Sequence, residues 1–245
     1  MLIVGNYLSP YVRKVLLALE LKGLAYEIDP LVPFYGNDAF SKLSPLRRIP
    51  VLIDGDLVLT DSTVISEYLD DLRPEPRLYP ADIRDRARAR WLEEFADTRM
   101  GDVFIWRFFA QIAIRRGVWG EDPDKALIER TQKEDIPAVL DYLEAEAPAD
   151  AFRFGPLGMA DLAPACMVRT ASFARFQIDT DRWPRTAAWM ERTYQAAPFE
   201  KLLKFETVIA RSPPPRHREI LKSLGAPISA VSYSDARPRR GIMPI

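Results

Sequence analysis

A serine followed at once by proline, Ser9-Pro10, stands between a short run rich in β-branched residues, Leu2-Ile3-Val4, and an apolar stripe at helical spacing: Val12, Val15, Leu16 and Leu19. Ser is a favoured helix N-cap, and Pro in the first helical position loses nothing, because its missing N–H had no intrahelical partner. The junction is therefore a strand-to-helix turn with a hydroxyl at the positive end of a helix. A Cys-x-x-Cys redox pair at such a turn would occupy the positions of Ser9 and Val12, so dithiol exchange with the protein's own groups is excluded. A hydroxyl there can still donate a hydrogen bond to a bound thiolate, beside backbone N–H groups and the helix dipole. A free thiol ionises near ~8.5, and lowering that by about two units takes roughly 2.7 kcal/mol of preference for the anion. One charge-assisted hydrogen bond plus a helix end is of that size. Taken alone, Ser9 reads more readily as a plain cap, since serine caps are common.

Two further segments carry polar chemistry. In Ser44-Pro45-Leu46-Arg47-Arg48-Ile49-Pro50-Val51, a proline directly before a strand follows a basic pair. That pattern suits a turn whose main-chain N–H and C=O stay open to an extended peptide, with a cis Ile49-Pro50 bond serving the same end. Arg47 and Arg48 can hold a carboxylate, or simply form a solvated loop. Thr60-Asp61-Ser62 ends one strand and opens a helix. Exposed N–H groups there bind a carboxylate and Asp61 can hold an ammonium, although the same residues are also a capping sequence.

The elements that must position these groups follow from the patterning. Residues 2–4 read as a strand, a helix follows from Ser9-Pro10 to Gly23, and residues 25–28 read as a second strand. After a loop with one short helix over residues 30–44, Asp54-Gly55 between two apolar runs signals a hairpin over 51–59. Ser62 then caps a helix with Val64, Ile65, Tyr68, Leu69 and Leu72 on its apolar positions. The order β-α-β, loop, β-β-α gives a parallel pair, an antiparallel hairpin and helices on the sheet faces. Three prolines in residues 73–81 make a linker. Beyond it the spacing predicts only helices, over 82–116, 124–147, 159–175, 184–196 and 199–210. Three zones result: 1–80, an α/β domain; 81–210, an all-helical domain; and 211–245, a basic, Pro-containing tail expected to be extended or weakly ordered.

Composition narrows the chemistry. The 245 residues are 48% hydrophobic and 28% charged, enough for a sizeable core. Net charge is -1 overall, and -3, -3 and +5 in the three zones, so no whole-chain field exists to hold nucleic acid or an anionic membrane. One cysteine forms no internal disulfide, and with a single histidine, His217, neither a structural zinc site nor a Ser-His-Asp triad is favoured. The start has no secretory pattern and no apolar run has transmembrane length, so a soluble, cytoplasmic protein is expected.

The order and spacing of Ser9-Pro10-Tyr11, Arg13, Leu16, Leu19 and Lys22-Gly23, then Ser44-Pro45, Ile49-Pro50-Val51-Leu52 and Asp54-Gly55, then Leu59, Asp61-Ser62, Ile65 and Tyr68-Leu69 resemble the glutathione transferase family. The likeness is to a two-domain member of bacterial type and to the serine-type soluble classes; the plant tau class shares the Ser-Pro-aromatic junction. The cysteine-type omega and beta classes are less similar, since Ser9 stands where they carry cysteine. The resemblance implies a thioredoxin-like α/β N-terminal domain followed by an all-α domain, a homodimer, and glutathione as cosubstrate with no metal. It implies that Ser9 stabilises the glutathione thiolate, that the Ile49 main chain pairs with the cysteinyl residue beside a cis Pro50, and that Asp61 and Ser62 hold the γ-glutamyl end. Arg48, with Arg47 less certain, would meet the glycyl carboxylate. The implied reaction is attack on a small apolar electrophile, in a pocket to which Tyr7, Tyr11, Phe104 and Phe108 would contribute. A glutathione-dependent isomerase, dehalogenase or peroxidase, or a non-catalytic binding module, shares the same pattern. Tyr7 is a rival hydroxyl, because other classes use a tyrosine near the end of the first strand.

Farther on, Gly155-Pro156-Leu157-Gly158-Met159-Ala160-Asp161 resembles the family's entry into its central helix, with Gly158 where relatives cap with Ser or Thr. Half of that capping interaction is therefore expected to be missing. Cys166 in an apolar helical run reads as a small buried hydrophobe. Arg84, Arg86, Arg88 and Arg90 read as a solvated helix surface.

Overall fold

The computed structural model describes residues 1–241. The chain divides into two compact units. One comprises Met1–Pro76 together with the chain from Glu200 on; the other is Arg77–Phe199.

The first unit is built on a four-stranded sheet in the order β2-β1-β3-β4. β1 (Leu2–Val4) runs parallel to β2 (Glu27–Asp29) and antiparallel to β3 (Val51–Asp54), which forms a hairpin with β4 (Leu57–Thr60). The crossover helix α1 (Pro10–Lys22) buries the predicted stripe completely: Val12, Val15, Leu16 and Leu19 are all inaccessible. Each such side chain contributes about 1.5–3 kcal/mol relative to its exposed state. Gly23, in the left-handed region, ends α1. α2 (Asp38–Leu43) is the short helix of the loop, and α3 (Ser62–Leu72) follows the hairpin. Phe40 of α2 lies in a core with Val4, Leu31 and Val51.

The last zone corrects the expectation of a weakly ordered tail, up to its final four residues, which lie outside the described ones. After α9 (Ala197–Ile209), a 3-10 turn (Pro214–Arg216) leads into α10 (His217–Ser223). The chain then lies along the free edge of β2: Ile28 N–H donates to Pro227 O at 2.8 Å, and Ser229 N–H to Ile28 O at 3.0 Å. Arg218 donates to the buried Asp29 carboxylate at 2.8 Å and to the carbonyls of Ser229 and Val231; Tyr233 N–H reaches the other Asp29 oxygen at 2.7 Å. Composition conceals this order, because main-chain pairing on a sheet edge needs no particular side chains.

In the second unit, α4 (Ile83–Phe95) continues in a wider π-type coil over Ala96–Trp119. α5 (Lys125–Arg130) runs through one wide turn into α6 (Ile136–Glu146), and α7 (Met159–Ser172) and α8 (Pro184–Tyr194) complete the helices. α7 is the central member and packs on α4, its continuation and α8. Cys166 is fully buried on it. At the start of α7, Asp161 accepts from Gly158 N–H at 3.2 Å, Arg153 N–H at 2.8 Å and Trp189 Nε1 at 2.7 Å. Burial pushes its carboxyl above the ordinary range, against the pull of those donors. The absence of a hydroxyl at Gly158 has a steric cause. A Cβ there would stand 2.7 Å from Leu78 O, the carbonyl that Met159 N–H bonds at 2.9 Å.

Candidate functional site at one end of the sheet

The strand register gathers the three chemistry-bearing segments. Val4 pairs with Val51, and Val51 with Thr60. The turn after β1, the turn before β3 and the turn after β4 therefore all leave the sheet in one row. They bring Ser9, Ile49-Pro50 and Asp61-Ser62 to the same end, together with the N-termini of α1 and α3. Lys14 of α1 donates to Thr63 Oγ1 of α3 at 3.1 Å, tying the two helix starts together. Gly5 is required where it stands: a Cβ would lie 2.5 Å from a Val12 methyl carbon, so only glycine lets the turn lie this close to α1.

Ser9 caps α1 through a long hydrogen bond, its Oγ accepting from Val12 N–H at 3.4 Å. The hydroxyl is partly exposed, and its own proton has no acceptor among the described residues. It can be given to an anion arriving at the helix end, where the dipole favours negative charge.

Asp61 adopts φ 85, ψ 127, a conformation that side chains rarely take and that stores of order 1–3 kcal/mol. One carboxylate oxygen, Oδ1, accepts from Thr63 N–H at 2.9 Å and Val64 N–H at 3.2 Å; Oδ2 is unclaimed among the described residues. Asp61 is exposed and Ser62 buried, the Ser62 carbonyl taking the Ser66 hydroxyl at 2.8 Å.

The structure separates the two arginines that sequence alone leaves together. Arg47, at φ 51, folds back to donate to Gly36 O at 2.7 Å and to the Ser41 hydroxyl, with Phe40 beneath it at 5.7 Å. It fastens the loop. Arg48 is exposed and its guanidinium is without a partner among the described residues. Ser44 pins the turn by exchanging hydrogen bonds with the Arg48 N–H and C=O, both at 2.9 Å. Ile49-Pro50 is cis, and no hydrogen bond among the described residues engages the Ile49 main chain. Together these groups offer a hydroxyl for an anionic sulfur, an open main chain for a peptide, a cation and a carboxylate.

The residues expected to wall an electrophile pocket are placed differently. Phe104 and Phe108 lie in the core of the helical unit, 0% and 2% exposed, their rings against Phe176 at 5.2 and 6.2 Å. Tyr7 is 1% exposed, its ring tilted against that of Phe205 at 5.1 Å. Fully covered side chains present no surface to a ligand, so these three are core; Tyr11 alone of the four keeps a partly exposed face. Burial also pushes the Tyr7 phenol far above its ordinary ionisation range, and its hydroxyl is buried without a hydrogen-bond partner among the described residues.

Sequence reasoning missed the groups that hold the Ser9 turn. Arg13 Nη2 donates to Tyr7 O at 3.1 Å while its Nε meets Glu206 of α9 at 2.6 Å, both side chains 1% exposed. Asn6, 2% exposed, bonds His217 of α10. A partner about two hundred residues away leaves no periodic signal.

Among the described residues, none of the helices is long and apolar enough to cross a membrane, and no cluster of three His, Cys, Asp or Glu forms a metal site. The sequence profile for the Glutathione S-transferase, N-terminal domain matches residues 4–77. An uncharacterised GST-like protein of Escherichia coli, YibF, is 28% identical over 88% of this chain and 100% of its own length. A glutathione S-transferase from Rhodospirillum rubrum superimposes with a TM-score of 0.78 at 27% identity, covering 89% of this chain and 98% of that one. The holo structure of maleyl pyruvate isomerase, a bacterial zeta-class glutathione S-transferase, gives 0.67 at 28%, covering 82% and 96%. The matched profile lies on the sheet that carries Ser9, and these structures follow the fold over most of its length: residues 4–77 match a glutathione S-transferase N-terminal domain, and the chain as a whole has the fold of the glutathione S-transferases it resembles.

Proposed function

We propose that this protein binds glutathione across the end of the sheet and uses Ser9 to hold its sulfur as thiolate for attack on an apolar electrophile. The observation that carries the reading is the Ser9 proton, unclaimed among the described residues at the start of α1, in the same row of turns as the open Ile49 main chain. The extended tripeptide pairs with Ile49, its glycyl carboxylate meets Arg48, and its γ-glutamyl ammonium meets the open Asp61 oxygen. Ser62 lies at the α3 N-terminus, where N–H groups suit the γ-glutamyl carboxylate. Arg47 supports the loop without touching the ligand.

In the reaction the thiol proton passes to solvent and the Ser9 O–H donates to the sulfur anion. The sulfur lone pair then forms the S–C bond while the leaving group departs with its electron pair, or adds across an activated double bond whose other carbon takes a proton from solvent. The protein supplies position and anion stabilisation, not a nucleophile of its own. A homodimer belongs to the same proposal, supported by exposed apolar residues on β4 (Leu57, Val58) and α3 (Val64, Leu72).

Calorimetry with glutathione and turnover of an aryl halide test the reading. Ser9→Ala should keep binding within a fewfold and lower turnover at neutral pH by ten- to a hundredfold, the thiolate lost for a shift of about one to two units. Absence of heat on titration, or full activity in Ser9→Ala, overturns it. Binding without turnover across a broad electrophile panel points to a non-catalytic module instead. A second reading, glutathione-dependent isomerisation, is favoured by the likeness to maleyl pyruvate isomerase; it predicts product formation with no net consumption of glutathione.

A further inference from the structure

Every polar atom of the Asn6 side chain is engaged. Oδ1 accepts from Leu8 N–H at 3.1 Å, while Nδ2 donates to Pro30 O at 3.1 Å and to His217 Nδ1 at 3.0 Å. The main-chain carbonyl of Asn6 accepts from Ser9 N–H at 3.0 Å. One residue thus clasps the turn 6–9 from both its side chain and its backbone. The amide cannot rotate without turning its NH2 toward the Leu8 N–H, so its orientation is fixed by the acceptor that takes its second hydrogen.

That acceptor is the imidazole of His217, 2% exposed. Its other nitrogen, Nε2, lies 3.0 Å from Ser212 O. A carbonyl only accepts, so Nε2 carries the proton and Nδ1 is left as the lone pair that Asn6 requires. Burial lowers the pKa of His217, which favours this neutral form. Main-chain hydrogen bonds of the tail along β2 keep α10 against the sheet, so the histidine is held from outside the turn it serves.

We propose that His217 is a positioning residue for the Ser9 hydroxyl, acting through Asn6. With the lone pair in place, Asn6 holds Leu8 and Ser9 so that the Ser9 O–H points away from the cap and toward an incoming sulfur. Without it, a buried amide hydrogen has no acceptor, the side chain turns to find one, and the Ser9 N–H and Leu8 N–H bonds loosen together. The inference rests on the reading of Ser9 as the thiolate donor.

The test is the apparent pKa of glutathione sulfur in the binary complex, read from the thiolate's ultraviolet difference absorbance as pH is varied. It is run on the full-length protein, with S-methylglutathione affinity as a measure of the site without an ionisable sulfur. His217→Leu is expected to raise the sulfur pKa by about one unit, a tenfold loss of thiolate at neutral pH, with S-methylglutathione affinity unchanged within twofold. His217→Asn, whose Oδ1 replaces the Nδ1 lone pair, should restore the wild-type value. Should His217→Leu fail to fold, His217→Phe serves instead: it fills the space of the ring with no acceptor for Asn6 Nδ2 and no added charge, with the same upward shift expected. Ser9→Ala separates the two claims. A raised sulfur pKa in Ser9→Ala with no change in His217→Leu overturns the positioning role and leaves the reading of Ser9 intact. No change in Ser9→Ala, or no bound glutathione at all, overturns both. A shift in His217→Leu that His217→Asn does not reverse also overturns the role, because it would reflect lost packing and not a lost acceptor.

Discussion

The starts of α1 and α7 solve the same problem in opposite ways. At α7 a carboxylate, Asp161, buried to 1%, draws in three N–H donors from three places in the chain. At α1 a hydroxyl makes one bond of 3.4 Å and, among the described residues, keeps its proton unclaimed at a partly exposed turn. A saturated cap stabilises the fold and has nothing left to offer a ligand. An undersaturated cap adds little to stability and keeps a donor in reserve. Undersaturation at a helix end, more than residue type, is what singles out the candidate site.

That contrast can be broken by mutation. Asp161→Ala strands three donors at once and should lower the free energy of unfolding by about 3–5 kcal/mol in denaturant titrations, leaving the sulfur pKa of bound glutathione unchanged in whatever remains folded. Gly158→Ser restores the residue type that usually caps this helix. Its Cβ meets Leu78 O, and a loss of about 1–3 kcal/mol is expected in the same measurement. A stabilised variant would show that the carbonyl yields and that the steric account is wrong. Ser9→Ala should cost about 1 kcal/mol or less in stability alongside the large loss of turnover expected of it; a loss as large as that of Asp161→Ala would erase the distinction between the two caps.

The smallest expected effect is one of pH. The pKa of His217 is lowered in the fold by burial, so the unfolded chain binds its proton more readily. Its contribution to stability is complete above the ordinary histidine value near ~6.5 and is lost as pH falls below that toward the folded value. Thermal midpoints between pH 7 and pH 5.5 should therefore fall less in His217→Asn than in the unmutated protein. Equal slopes would mean that another group dominates the window.

The parts of the site that could be read in the sequence are those encoded by adjacent residues. Ser9-Pro10, Ile49-Pro50 and Asp61-Ser62 announce their turns locally, and the Asp54-Gly55 signal fixes the hairpin whose register aligns them. The helical unit was legible from apolar spacing, though not the wide coil that continues α4. What could not be read depends on contacts distant in the chain. Arg47 and Arg48 are neighbours of one residue type, and only Gly36, Ser41 and Phe40 decide which is occupied. Tyr7, Phe104 and Phe108 have the composition of a pocket wall and the same composition as a core. The engagement of the tail with Asp29 and Asn6 has no signature, since a proline-rich basic segment reads alike whether it lies in solvent or along a strand.

The sheet-bearing unit opens at Met1 yet includes α10 and the chain beyond it. On the ribosome the helical unit, Arg77–Phe199, is therefore the first to have all its residues in hand. The strands that emerge earlier keep the β2 edge and Asn6 uncovered until the segment that pairs with them is synthesised.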